Sequence, residues 1–311
     1  MTEFDNSLAP LCLQICPFET GGRLKCVNRM RFLKMEAIAI MAIASCIGFV
    51  SCSDDDKDEP NGGGENEEMV VNPSKVFTAG VPMQVGTMLV ETNPMGLVTA
   101  MKSVEDGVNI VFSYPAMSRA ESYDVVMDVD DEGDKTTFNM LLNEMGFAKY
   151  CKQIESDGDV EEWWFEYDAD GRLIKMKRSE GGNEVTEITY ENGNISKVKM
   201  RSEYDGDGGD YAIGYGTSMI ENKGCIMLFD ETFGIDMDEM KYAYFAALLG
   251  KATKNLPMSN AYTRFDPNGE PYKRDMAFTW SLNSDNLPIM LTTLTTDEWG
   301  TEGPETFEFK W

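Results

Sequence analysis

The sequence holds no histidine in 311 residues. That removes His-based triads, imidazole general bases and imidazole metal ligands in one step. Zinc is not expected, since only scattered cysteines and carboxylates remain to bind it. Cysteine is sparse beyond residue 52, where only Cys151 and Cys225 occur. Both sit in strand-like runs and suit either one disulfide or two buried thiols. Positive charge is short as well: 27 Lys and Arg face 54 Asp and Glu, a net charge of −27. Such an excess argues against nucleic acid or an anionic membrane as a direct binding surface. No glycine loop of the phosphate-cradling kind opens a helix, and no Gly-x-Ser-x-Gly elbow occurs. No catalytic constellation is visible, and the expectation is a protein that is not an enzyme.

What is present is a repeating hairpin. Phe165-Glu166-Tyr167 alternates apolar and acidic residues, as a strand with one buried face should. Asp168-Ala169-Asp170-Gly171 supplies turn chemistry, and Arg172 to Arg178 carries the return strand. A second copy runs Glu187 to Tyr190, turns at Asn192-Gly193, and returns over Ile195 to Met200. Asn-Gly between alternating runs is a strong hairpin signal. Looser copies fall at Tyr211 to Met227, at Ala277 to Met290 around Asn283-Ser284-Asp285-Asn286, and at Thr87 to Ala100 around Asn93-Pro94-Met95-Gly96. Strands are also expected over 108–114, 123–129 and 147–154, and over the alternating C-terminal run Thr306 to Trp311.

Two segments read as helices. Thr136 to Glu144 places Phe138, Leu141, Leu142 and Met145 at helical spacing, with Gly146 as the stop. Asp236 to Leu249 has Asp236 as a cap, Glu239 three residues on, and Gly250 at its end. Its expected role is to cover the open face of a sheet. The fold class is therefore mainly β (α+β): an antiparallel β-meander of hairpin repeats with two short packed helices.

The motif Tyr167-Asp168-Ala169-Asp170-Gly171-Arg172-Leu173 resembles the YD-type repeats of Rhs-like proteins. The hairpin series from Lys149 to Met290 is similar to a family of Bacteroides-type lipoproteins of unknown function. In that family a helix and a closing strand pair follow the repeats, matched here by Met237 to Phe245, Lys254 to Pro257 and Ser284 to Pro288. The resemblance implies no catalytic residues.

The N-terminal region divides by composition. Residues 1–29 carry no periodic pattern and read as a non-native extension, with translation beginning at Met30 or Met35. Residues 30–51 have a basic start, an apolar stretch from Ala37 to Val50 and a small residue before Cys52. That is the layout of a lipoprotein signal peptide, and the apolar run is short for a spanning helix. Cys46 competes as the lipidated residue. Cys52 is preferred, because cleavage at Cys46 shortens the apolar region and leaves Ile-Gly-Phe-Val on the mature chain. Ser53 to Glu59 then forms an acidic run resembling the surface-export signal of Bacteroides-type lipoproteins. Residues 52–75 read as a flexible acidic and Gly-rich tether, and residues 76–311 as the hairpin domain. The expected location is the outer membrane, lipid-anchored and facing outward, with the membrane touched only through the lipid.

The site candidates are few. Trp163 and Trp164 could form a ligand platform, although neighbours on a strand face opposite ways. Glu161, Glu162 and Glu166 beside them form the cluster in which a two-carboxylate glycan hydrolase would be sought. Asp128, Asp130, Glu132 and Asp134 have calcium-loop spacing with Gly133 between, but the twelfth loop position is Asn139 rather than Glu. Asp205, Asp207 and Asp210 form a second acidic loop of this kind. No cofactor other than calcium is implied. The leading reading is a non-catalytic cell-surface binding module for a glycan or protein ligand. The alternatives are a carboxylate-based glycan hydrolase and a calcium-stabilised adhesin-like domain.

Overall fold

The computed structural model describes residues 71–115, 123–179, 183–204, 206–266, 269 and 271–311. Cys52, the signal segment and Asp205 lie outside these residues. The described residues form sixteen strands. The first six are β1 (Gln84–Val85), β2 (Met88–Thr92), β3 (Val98–Ser103), β4 (Val108–Ser113), β5 (Val125–Asp131) and β6 (Asp134–Leu142). Then come β7 (Ala148–Glu155), β8 (Val160–Tyr167), β9 (Leu173–Arg178), β10 (Glu184–Glu191), β11 (Asn194–Ser202) and β12 (Gly208–Gly214). The last are β13 (Ser259–Phe265), β14 (Lys273–Leu282), β15 (Pro288–Asp297) and β16 (Gly300–Lys310). Every strand pairs antiparallel with its sequence neighbours, and β1 pairs with β16, so the meander closes into a barrel. Closure removes the edge strands that an open meander leaves.

The hairpin reading of the sequence holds except at Tyr211 to Met227, where β12 ends at Gly214 and pairs with β13 while Cys225 to Met227 lie in the connection between them; the two helices do not form. Thr136 to Leu142 is part of β6, with Phe138, Met140 and Leu142 all buried on one face. Its apolar residues fit both periods, and the turn that follows decides between them. Asn143 Oδ1 accepts the N–H groups of Met145 and Phe147 at 3.0 Å each, which closes a hairpin where a helix would have continued. The second segment is only a short 3-10 turn, Asp238–Tyr244, and Ala247 beyond it has φ of 62°. It covers no open face, because no face is open.

The same turn recurs four times at one end of the barrel. Asn93, Asn143, Asp168 and Asn283 each accept N–H groups from the second and fourth residues beyond them. Gly96, Gly146, Gly171 and Asn286 supply the positive φ that the turn needs. The β10–β11 hairpin uses the expected Asn192-Gly193 turn instead, with Glu191 opposite Asn194.

The connection between β12 and β13 is the element that fills the barrel. Gly214 and Ser259 are directly paired, yet residues 215–258 leave the wall between them. Phe229, Phe233, Met240, Tyr244, Leu248 and Leu256 from this segment are all buried. The segment is stitched to the turn end. Its Leu248 carbonyl accepts from Ala148, and its Lys251 and Lys254 N–H groups donate to the carbonyls of Gly171 and Gly193. Packing at this end begins within the stretch read as tether, since Val71 and Pro73 are buried, and Phe77 just beyond it meets Tyr244 edge-on and stacks on Phe245.

The polarity of the wall follows from strand alternation. Trp163, Phe165, Met176, Ile188 and Val198 point inward and are buried. The outer face carries a row of directly opposed charges: Glu166, Lys175, Glu187, Lys199 and Asp210. Opposite charges facing across strands stabilise a wetted sheet. A membrane-spanning barrel has the reverse arrangement, an apolar outer band around a polar interior.

Candidate functional site

The end away from the stitched turns opens as a mouth, and the luminal segment is its floor. Carboxylates crowd there. Burial pushes the pKa values of Asp230, Asp236 and Glu239 up, and the charge of Asp238 adds to the rise at Asp236 and Glu239. Two arginines from the wall hold this floor. The Arg178 guanidinium sits 2.9 Å from Glu161, 3.1 Å from Asp238 and over the ring of Trp163 at 4.8 Å. Arg274 Nη1 donates to Glu231 at 2.8 Å and its guanidinium lies over Tyr262 at 5.3 Å.

One wall of the mouth is an aromatic stair. Tyr211 on β12 lies against the floor, with its ring centroid 4.7 Å from that of Tyr262 on β13. Tyr272 meets Tyr262 edge-on at 6.2 Å, and Trp299 stacks on Tyr272 at 5.1 Å. Trp299 is 77% exposed, in the β15–β16 turn. Asp297 fixes this outer step: Oδ1 accepts the Trp299 N–H at 2.8 Å and Oδ2 accepts the Tyr272 hydroxyl at 2.8 Å. These donors hold the Asp297 carboxyl below its usual range. Glycines make the room: a Cβ on Gly209 would lie 2.4 Å from the Tyr262 ring, and one on Gly234 2.5 Å from that of Tyr211.

Where the two-residue β1 closes the barrel against β16, a cavity of about 680 Å³ lies between wall and floor. Met88, Met101, Leu228, Phe245 and Phe307 give it apolar sides, while Asp230, Lys241 and Glu105 supply polar groups. A concave space with apolar walls and a few polar groups is the usual form of a ligand site.

This architecture has relatives. The family described as a domain of unknown function (DUF4595) with porin-like fold matches residues 90–289. The chain belongs to that family. The DUF4595 barrel is similar in fold to a crystal structure of a porin-like protein from Bacteroides uniformis, with a TM-score of 0.52 and 13% identity over 72% of this chain and 88% of that one. A porin-like protein from Bacteroides vulgatus aligns with a TM-score of 0.49 and 12% identity over 74% of this chain and 98% of that one. No curated protein matches the chain. The match to a family of unknown function agrees with the sequence resemblance, but the YD-type repeat likeness is not supported, since the hairpins are staves of one porin-like barrel.

The residues singled out in the sequence are dispersed in this DUF4595 barrel. Trp163 is wholly buried and its Nε1 donates to Gln153 at 3.0 Å, so it forms no surface platform. Trp164 is 39% exposed on the outer wall, beside Tyr150 at 6.0 Å. Glu161 faces inward while Glu162 bonds the Tyr150 hydroxyl. Asp128, Asp130, Glu132 and Asp134 fall on the tight β5–β6 hairpin. Asp128 accepts from Thr137 there, and Asp130 accepts the Gly133 N–H. Asp207 and Asp210 pair with Arg264 and Arg201. Among the described residues, no three of these carboxylates converge as metal ligands do. Cys151 and Cys225 are free thiols. The aromatic stair escaped sequence reading because its four members lie on four separate stretches. The Gly208-Gly209 pair inside the second acidic loop was a local sign of a close approach.

Proposed function

We propose that this barrel is a non-catalytic binding module for a glycan, held in the mouth with a sugar ring laid on Trp299 and Tyr272. The observation that carries the reading is the aromatic stair, rigidly presented by Asp297 and open to solvent at its outer step. The apolar face of a pyranose stacks on an aromatic ring, and Trp and Tyr supply large contact area at low entropic cost. Asp297, Glu231 and Arg274 stand beside the rings as hydrogen-bond partners for hydroxyl groups. The module works outside the cell, tethered through lipidated Cys52. The signal-like segment and the acidic run after Cys52 support this. The charged outer wall supports it too, because it leaves a lipid rather than the strands to hold the protein at a membrane.

Calorimetry of the protein against a panel of soluble polysaccharides tests the reading. Saturable binding that Trp299→Ala weakens at least tenfold, and Trp164→Ala leaves unchanged, is the expected result. Silence across neutral and acidic glycans would remove it. A second reading, glycan hydrolysis, has one observation in its favour: burial raises the pKa values of the floor carboxylates Asp230, Asp236 and Glu239, the direction a general acid needs. Release of reducing ends from a bound glycan would move the assignment there.

A further inference from the structure

The stitched end of the barrel carries a feature at odds with the whole chain. Lys75, Lys223, Lys251 and Lys254 border a cavity of about 550 Å³ beside Val76, where the chain enters the barrel. Acidic residues outnumber basic ones two to one in this sequence, yet only Glu221 and Asp285 join the four lysines at the cavity. Among the described residues, none of the four ammonium groups has a carboxylate within 4.0 Å. Among the described residues, the Lys75 ammonium donates to the Met145 carbonyl at 3.5 Å.

The lysines project from fixed backbone. Lys251 and Lys254 donate their N–H groups to the carbonyls of Gly171 and Gly193, so two barrel turns set their positions. Lys75 ends a 3-10 turn capped by Asn72. Lys223 follows Asn222, whose buried amide bonds the carbonyls of Ile226 and Thr253. Four point charges on rigid supports around one cavity set up a local field opposite to that of the surface as a whole. Ammonium groups carry three donors each and no acceptor, which suits a compact, highly charged oxyanion better than a planar carboxylate.

We infer that this cavity is an oxyanion site that takes a phosphate or sulfate monoester group, held by Lys223, Lys251, Lys254 and Lys75. It lies at the opposite end of the barrel from the mouth and does not depend on the glycan reading. The ester has two sources, a lipid headgroup at the surface to which the chain is tethered or a soluble phosphorylated or sulfated molecule.

The test titrates inorganic phosphate and sulfate into the full-length protein at constant ionic strength, with chloride as control, followed by calorimetry. Lys251→Gln with Lys254→Gln removes two charges and keeps both backbone hydrogen bonds, so the thermal midpoint should not move. The expected result is saturable phosphate binding that the double variant weakens at least tenfold. Equal binding by both proteins, or none by either, overturns the site. A second arm adds vesicles of phosphatidic acid, whose headgroup is a phosphate monoester, in phosphatidylcholine, or of phosphatidylcholine alone. Selective binding to the phosphatidic acid vesicles that inorganic phosphate displaces assigns the site to a headgroup. Saturable phosphate binding without vesicle binding assigns it to a soluble ester.

Discussion

Trp163 and Trp164 are adjacent in sequence and live in opposite surroundings. Trp163 packs against Phe165 and beneath Arg178 inside the barrel, and Trp164 lies on the wall in solvent. Replacing a buried tryptophan removes its transfer energy and leaves a cavity, so Trp163→Ala should cost about 3–5 kcal/mol. Trp164→Ala should cost under about 1 kcal/mol. Urea unfolding of the two variants checks the difference, and equal losses would mean that the strand register is wrong. Gly250 is a second sharp case. It has φ of 83°, and a Cβ there would meet the Gly171 carbonyl oxygen at 2.6 Å. Left-handed strain and the backbone clash together should make Gly250→Ala cost about 3 kcal/mol. At the scale of a domain this size, that lowers the melting midpoint by roughly 6–12 °C.

Among elements, the luminal segment 215–258 carries three carboxylates whose pKa values burial raises, Asp230, Asp236 and Glu239. Burial first, then the neighbouring Asp238 charge, raises the pKa of Asp236. The folded state thus binds this proton more tightly than the unfolded chain does. The resulting stability is complete below the unfolded value of about 3.9 and is lost as pH rises through the higher folded value. Asp236→Asn keeps an acceptor for the Asp238 N–H, now made by Asp236 Oδ1 at 3.2 Å, and abolishes the titration. The variant should melt above the native protein at pH 7, and the gap should close as pH falls toward 4. A gap independent of pH would refute the assignment. The segment also shows why its expected helix failed. A helix lying on a sheet needs a polar outer face, but Ala243 to Leu249 is buried throughout. A chain enclosed on all sides gains nothing from helical periodicity, and the barrel's carbonyls draw it into irregular contacts instead.

At the scale of the whole molecule, fold and polarity part company. The barrel has the strand closure of porin-like proteins, but its interior is packed with apolar side chains and its exterior is charged. A Lys or Arg at the midplane of a bilayer costs about 2–4 kcal/mol, so the row from Glu166 to Asp210 keeps this wall in water. Planar-bilayer recordings with the purified protein should accordingly show no channel conductance. Discrete conductance steps would reverse the reading of the wall.

The hairpins were legible in the residues, because turn chemistry is local. Asp168 to Gly171, Asn192-Gly193, Asn93 to Gly96 and Asn283 to Asn286 each specify a reversal within a few residues. Strand alternation likewise foretold that Trp163 and Trp164 would part. By itself the sequence determined an antiparallel meander, an acidic surface and the absence of imidazole chemistry. Only the tertiary structure decided that the meander closes, since closure rests on two residue pairs between β1 and β16, at opposite ends of the chain. It also decided that residues 215–258 turn inward and that Tyr211, Tyr262, Tyr272 and Trp299 meet. Those contacts join residues far apart in sequence. No local pattern records them, because the energy that selects them comes from filling one shared interior.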